Sequence, residues 1–98
     1  MNNYKYMDII SWIDSSGNIY EGQYIMIDDN LILDGVGTII FNHGYKLKGN
    51  FMKGMKHGLF QLTDMNKKAN EPILVIFDND ILRTDDDNNV LVYTWKKL

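Results

Sequence analysis

The sequence predicts an all-β chain, an antiparallel meander of hairpins forming a single twisted sheet. Three observations carry this. Alanine is nearly absent, Ala69 being its one copy, while Ile is abundant and twelve residues are aromatic, so strand formers dominate over helix formers. Short apolar or alternating runs are separated by clusters of Asp, Asn, Ser and Gly. A spaced set of glycines and aromatics recurs after 27 residues, at Gly17 and again at Gly44.

The elements follow in order. Tyr4 to Ile13 is aromatic and β-branched and ends in the turn cluster Asp14-Ser15-Ser16-Gly17-Asn18. Ile19 to Ile27 is a second strand, with Tyr20, Gly22 and Tyr24 on one face by the period of two. Asp28-Asp29-Asn30 is a polar turn. Leu31-Ile32-Leu33 leads through Asp34-Gly35-Val36-Gly37 to a strand at Thr38–Phe41, and Asn42-His43-Gly44 turns the chain. Tyr45 to Phe51 alternates again, and Leu59 to Leu62 forms a short strand after Met52–Gly58. Asp64 to Asn70 is polar and free of glycine, a looser loop. Ile73 to Phe77 is a continuous apolar run, which predicts a strand buried on both faces. Asp78-Asn79-Asp80 and Asp85–Asn89 are turns around Ile81-Leu82-Arg83, and Val90 to Trp95 closes the sheet. No segment has the pattern of an amphipathic helix.

The recurrence is position for position. Gly17-x-x-Tyr20-x-Gly22-x-Tyr24 matches Gly44-x-x-Leu47-x-Gly49-x-Phe51. The first copy continues with Gly35-x-Gly37, the second with Gly54 and His57-Gly58-Leu59-Phe60. This grammar resembles the MORN-repeat family over about Gly17 to Leu62, roughly half the chain. The resemblance implies one domain over 1–98: an N-terminal strand at 1–16, two MORN-like hairpin repeats at 17–62 and C-terminal capping strands at 71–98. It assigns structural roles to Gly17, Gly22, Gly35, Gly37, Gly44, Gly49, Gly54, His57 and Gly58. The chain departs from the family pattern in three places. About four extra residues lie between Tyr24 and Gly35, which predicts a longer hairpin at Asp28-Asp29-Asn30. Leu47 stands where Tyr is expected. Phe60 stands at a glycine position, which marks the end of the array. A hairpin alone is too small to be stable, so stacked units must bury one aromatic each in a continuous row. Mid-strand Gly22 and Gly49 fit a close approach by a neighbouring ring.

Composition bounds the function. The net charge is −3, and Arg83 is the single arginine, so the clustered cations that nucleic-acid phosphates require are missing. Without cysteine there is neither a disulfide nor a thiolate metal site. No apolar stretch approaches the roughly 18 residues of a membrane span, and the N-terminus lacks a signal-peptide apolar region, so the expected location is cytoplasmic. Enrichment in Asn, Lys and Ile fits an AT-rich coding genome, such as that of a phage, a virus or an AT-rich microbe.

Chemistry-bearing motifs are weak. His43 and His57 each neighbour a turn glycine and lack a carboxylate at metal-ligand spacing. Asp78-x-Asp80 and Asp85-Asp86-Asp87 offer oxygen ligands without the calcium-loop pattern. No serine lies in a nucleophile motif. The expectation is therefore no enzyme, no metal and no cofactor. The resemblance implies a scaffold or binding module, with a protein partner on an aromatic sheet face or on acidic turns. Trp12, Tyr20, Tyr24, Tyr45 and Phe51, with Asp28, Asp29, Asp85, Asp86 and Asp87, are the candidate contacts; Phe41 and Trp95 complete the aromatic set. A small inhibitor, an antitoxin-like protein and a virus-encoded modulator all fit this class. Two alternatives stay open: membrane-lipid or phosphoinositide binding through Lys46, Lys48, Lys53 and Lys56, and self-assembly, a homodimer included, through an open array end.

Overall fold

The computed structural model describes residues 9–68 and 71–94. Among these residues there is no helix, and nine strands make one open antiparallel sheet. They are β1 (Ile10–Ile13), β2 (Ile19–Ile27), β3 (Asn30–Ile40), β4 (Tyr45–Met52), β5 (Met55–Lys56), β6 (Gly58–Asp64), β7 (Ile73–Asp78), β8 (Ile81–Leu82) and β9 (Tyr93–Thr94). Their spatial order is β1-β2-β3-β4-β6-β7-β8, a meander in which neighbours in sequence are neighbours in space. The two-residue β5 pairs with the end of β4. β8 and β9 share the outer edge of β7, one on each half.

One face of this single layer carries the core. Trp12, Tyr20, Ile39, Leu47, Leu62 and Ile73 are successive cross-strand partners on six strands. Directly opposed side chains on one face are the unit of sheet stabilisation, and here they form an unbroken row. The row opens with two stacked rings, Trp12 on Tyr20 at 5.4 Å. It then turns aliphatic, so it is not the continuous aromatic row the repeat predicts. The remaining rings pack beside it, Phe51 edge-on to Phe60 at 5.3 Å and Phe60 edge-on to Phe77 at 5.2 Å.

A single layer cannot bury large rings unless its own surface recedes beneath them. Gly22, Gly37 and Gly49 supply that recess, since Gly37 is the cross-strand partner of both of the others. A Cβ on Gly49 would lie 2.6 Å from the ring of Phe60, so only glycine lets that ring reach full burial. Gly22 is constrained differently. Its φ is +147°, and a Cβ would meet the Val36 carbonyl oxygen at 2.5 Å, at the point where the β2–β3 register shifts.

Both ends of the sheet are tied by stacked turns. At one end, Gly17 donates to the Asp14 carbonyl, Gly44 to that of Phe41 and Lys67 to that of Asp64. The first two turns also match in their closing bonds, Asp14 to Asn18 and Phe41 to Tyr45. Asn42 joins the first turn to the second by donating to the Ser16 carbonyl, while its backbone N–H donates to Asn18 Oδ1. Asn66 joins the second to the third by donating to the His43 carbonyl. At the other end lie three two-residue turns, Asp28-Asp29, Lys53-Gly54 and Asn79-Asp80, all with positive φ at both positions. Such turns match the twist of antiparallel strands.

The expected strands are recovered with adjusted ends. β2 has the predicted bounds, and β3 runs unbroken through Asp34-Gly35-Val36-Gly37 instead of starting at Thr38. β6 extends to Asp64. The N-terminal strand is described from Ile10 on, and its expected start at Tyr4 lies outside the described residues, as does Trp95. The final strand is reduced to a Thr84–Val90 bridge and the short β9. The expectation that Ile73–Phe77 is buried on both faces is corrected: Val75 is buried, but Leu74 and Ile76 are half-buried on the other face. A continuous apolar run signals two covered faces only where a second layer exists, and among the described residues this sheet has one layer.

The glycine recess sets a test. Gly49→Val and Gly22→Val each lower stability by more than about 1 kcal/mol, through overpacking and backbone strain. Urea midpoints read the effect, and Phe60→Ala makes Gly49→Val less costly because the opposing ring is gone. Unchanged midpoints, or full additivity of the pair, overturn this account of the core.

Candidate functional site

The long β2–β3 hairpin forms part of a pocket. Beyond the register shift at Gly22/Tyr24, β2 and β3 continue as a hairpin paired from Tyr24–Leu33 to Ile27–Asn30. Its returning arm, Leu31, Ile32 and Leu33, forms one wall of a cavity of about 380 Å³. The stacked Trp12 and Tyr20 and the turn residue Asp14 form another side. Leu33, Ile39 and Phe51 belong to the core beneath, and Gly54 and Lys56 complete the lining. The Gly54 N–H donates to the Leu33 carbonyl at 2.8 Å, which ties the Lys53-Gly54 turn to the hairpin arm.

The polar groups of the pocket are engaged within the chain. Asp14 Oδ1 accepts from the backbone of Ser16 and Asn18, and Oδ2 accepts from the Asn18 amide and the Tyr20 hydroxyl. These bonds, the Asn18 N–H foremost, hold the Asp14 carboxyl below the usual carboxylate range. Burial first, then the neighbouring Asp14, pushes the Tyr20 phenol upward. Lys56 Nζ sits 3.0 Å from Asp80 Oδ1 and over the Phe77 ring. Donation from the Lys56 backbone, then from its ammonium, lowers Asp80.

The expected contact residues divide between several places. Trp12, Tyr20 and Phe51 come together in the pocket. Tyr24 lies across from Leu33 on the hairpin, half-buried and outside the pocket lining. Tyr45 is at the opposite end of β4, edge-on to His43 at 5.2 Å, and His43 stacks on Phe41. Asp28 and Asp29 are exposed at the hairpin tip. Asp85, Asp86 and Asp87 lie in the exposed loop before β9, where Asp85 is used internally, accepting from Asp87 and Asn89. The four candidate lysines do not share a surface. Lys46 and Lys48 line a groove on the face opposite the pocket, with Gln61 and Thr63, whereas Lys56 is ion-paired on the pocket side.

Asp14, Leu31, Ile32, Leu33 and Ile39 are pocket residues that do not stand out as contacts in the sequence. A signal for the hairpin residues exists in the apolar run Leu31-Ile32-Leu33 directly after the Asp28-Asp29-Asn30 turn. Asp14-x-x-x-Asn18 is a second readable signal, an Asx-type turn whose bonding pattern recurs at Asp85-x-x-x-Asn89. Among the described residues, no group of three or more His, Asp or Glu side chains is placed to hold a metal ion. Among the described residues no helix is long and apolar enough to cross a membrane. Comparison with protein-family models, curated proteins and solved structures returns no match.

The lowered Asp14 predicts a pH dependence. A carboxyl with a depressed folded-state pKa stabilises fully above its unfolded value of about 3.9, and that contribution is lost as pH falls through the lower folded value. Asp14→Asn keeps acceptors for Ser16 and Asn18 but does not titrate. Urea midpoints taken from about pH 6 down to pH 2 fall less steeply for Asp14→Asn than for the wild type below about pH 4. Parallel curves for the two proteins count against a structural charge at Asp14.

Proposed function

We propose that this chain is a non-enzymatic protein-interaction module built from MORN-like hairpin repeats. Its partner docks on the aromatic end of the sheet face, at Trp12 and Tyr20. The observation that carries this reading is the pocket between the Trp12–Tyr20 stack and the long β2–β3 hairpin, apolar in its lining and open at the surface. Aromatic side chains in such a position supply large contact area at small entropic cost, and interface hot spots are enriched in Trp and Tyr. Exposed Met26 lies on the same hairpin, and a flexible, polarisable side chain of this kind suits an adaptable contact surface. The repeat reading rests on the matched turns at Asp14–Asn18 and Phe41–Tyr45 and on the paired glycines Gly22, Gly37 and Gly49.

Capture of partners from source-cell lysate at low and moderate salt tests this. One stoichiometric protein is retained at moderate salt by the wild type and by Ile81→Ser, a change at an exposed site on β8. It is lost with Trp12→Ala, at unchanged sheet content by circular dichroism. Absence of any enriched protein, or equal capture by Trp12→Ala, refutes the reading.

A further inference from the structure

We infer that the pocket takes one bulky apolar side chain from a basic segment of the partner, flanked by lysine or arginine. The inference rests on the interaction-module reading and names the chemistry of its partner.

The pocket is suited to a side chain more than to a free small molecule. Small-molecule sites depend on a few polar groups that converge on the ligand and fix its orientation. Here the four hydrogen bonds onto Asp14 come from its own turn and from Tyr20. Lys56 is held by Asp80. Beyond Asp14 and Lys56, hydrocarbon and ring predominate in what faces the cavity, from Trp12, Tyr20, Leu31, Ile32 and Ile39. An apolar group entering it gains by burial alone, at about 25 cal/mol per Å².

The rim selects charge. Asp14 lies in the lining, Asp80 beside Lys56, and Asp34 directly after the Leu31–Leu33 arm. Asp28 and Asp29 are exposed at the hairpin tip, and Asp29 is two residues from Leu31, about 7 Å along the strand. Asp80 is paired with Lys56, Asp34 accepts from the Lys53 N–H and Asp14 from its own turn, so the exposed Asp28 and Asp29 are the rim carboxylates that meet a partner. Charges around such a rim steer encounter and favour a partner of opposite sign. Cations beside the inserted side chain reach Asp28 and Asp29, whereas acidic flanks are repelled.

The probes are short fluorescein-labelled peptides with a central Phe between two Lys, the same peptide with Ser for Phe, and one with Glu for both Lys. Binding is followed by anisotropy. The Lys-Phe-Lys peptide binds saturably and more weakly as salt rises, and each altered peptide binds at least about tenfold more weakly, a difference of about 1.4 kcal/mol. Leu31→Ser weakens the parent peptide. Asp28→Asn with Asp29→Asn weakens it and flattens the salt dependence, and Asn tolerates the positive φ of both turn positions. Thermal midpoints of the variants confirm that the sheet is intact. Equal binding of the Ser or Glu peptide, no saturation up to about 1 mM, or indifference to Leu31→Ser overturns the proposal. A concentration-dependent dimer broken by Leu31→Ser assigns the pocket to a second copy of the chain and also overturns it. A lysate partner that is lost with Trp12→Ala but unaffected by Leu31→Ser and by the Asp28/Asp29 pair leaves the module reading standing and removes only this one.

Discussion

Phe60 lying on Gly49 is the contact on which the rest of the molecule depends. A one-layer sheet has no second layer to close its core, so its rings must be buried against the sheet's own backbone. The absent Cβ of Gly49 lets the Phe60 ring sink until it is fully buried. From there Phe51 and Phe77 pack edge-on to it from either side. Gly37 extends the recess towards β2, where Leu33 and Phe51 approach it closely. The aliphatic row from Ile39 to Ile73 then borders a floor that is already filled. Glycine weakens an isolated strand. Here its local cost is offset by ring burial that no other residue would permit.

The two ends of the sheet do different work with this floor. The Asp14, Phe41 and Asp64 turns rest on one another through Asn42 and Asn66, so the hairpins keep their spacing there. At the other end the tight turns let neighbouring hairpins clasp: Gly54 donates to Leu33, and Lys56 and Asp80 exchange backbone and side-chain bonds. The first and second turns are 27 residues apart, the second and third, at Phe41 and Asp64, only 23. The surplus lies in the β2–β3 hairpin. With both ends fixed by stacking, added residues cannot widen the array, so they lengthen the hairpin, and its arm becomes a wall of the pocket.

Much of this was legible because it is local. The β2 bounds, the turn positions and the need for glycine at Gly22 and Gly49 follow from period, turn chemistry and the repeat. The pocket was half legible. Trp12, Tyr20 and Phe51 stand out as aromatics at repeat positions, but their convergence with Leu31 and Ile32 depends on a register shift after Gly22, which no single-strand pattern reveals. Tyr24 fits the same logic as Tyr20, but it lies across from Leu33 on the hairpin and outside the pocket lining. The acidic loop at Asp85–Asp87 was read as a contact site for its charge. Asp85 instead closes its own turn, and the sequence sign of that is the Asn four residues on, as in Asp14 and Asn18. Burial of β7 was overestimated because an apolar run does not report how many layers cover it.

The recurrence of that turn bears on how the β7 edge of the sheet is covered. Asp85 accepts from Asp87 and Asn89 as Asp14 accepts from Ser16 and Asn18, and Asn88 holds a positive φ where Gly17 does. The strands on either side are bridged at Thr84 and Val90, as β1 and β2 are joined at Ile13 and Ile19. The last turn thus has the bonds of the first, yet Tyr93 stands where Gly22 would by that alignment. No recess can form at that position, and β9 instead pairs with the free half of β7. The same turn chemistry therefore begins a repeat where a strand glycine follows, and covers an edge where a large residue takes its place.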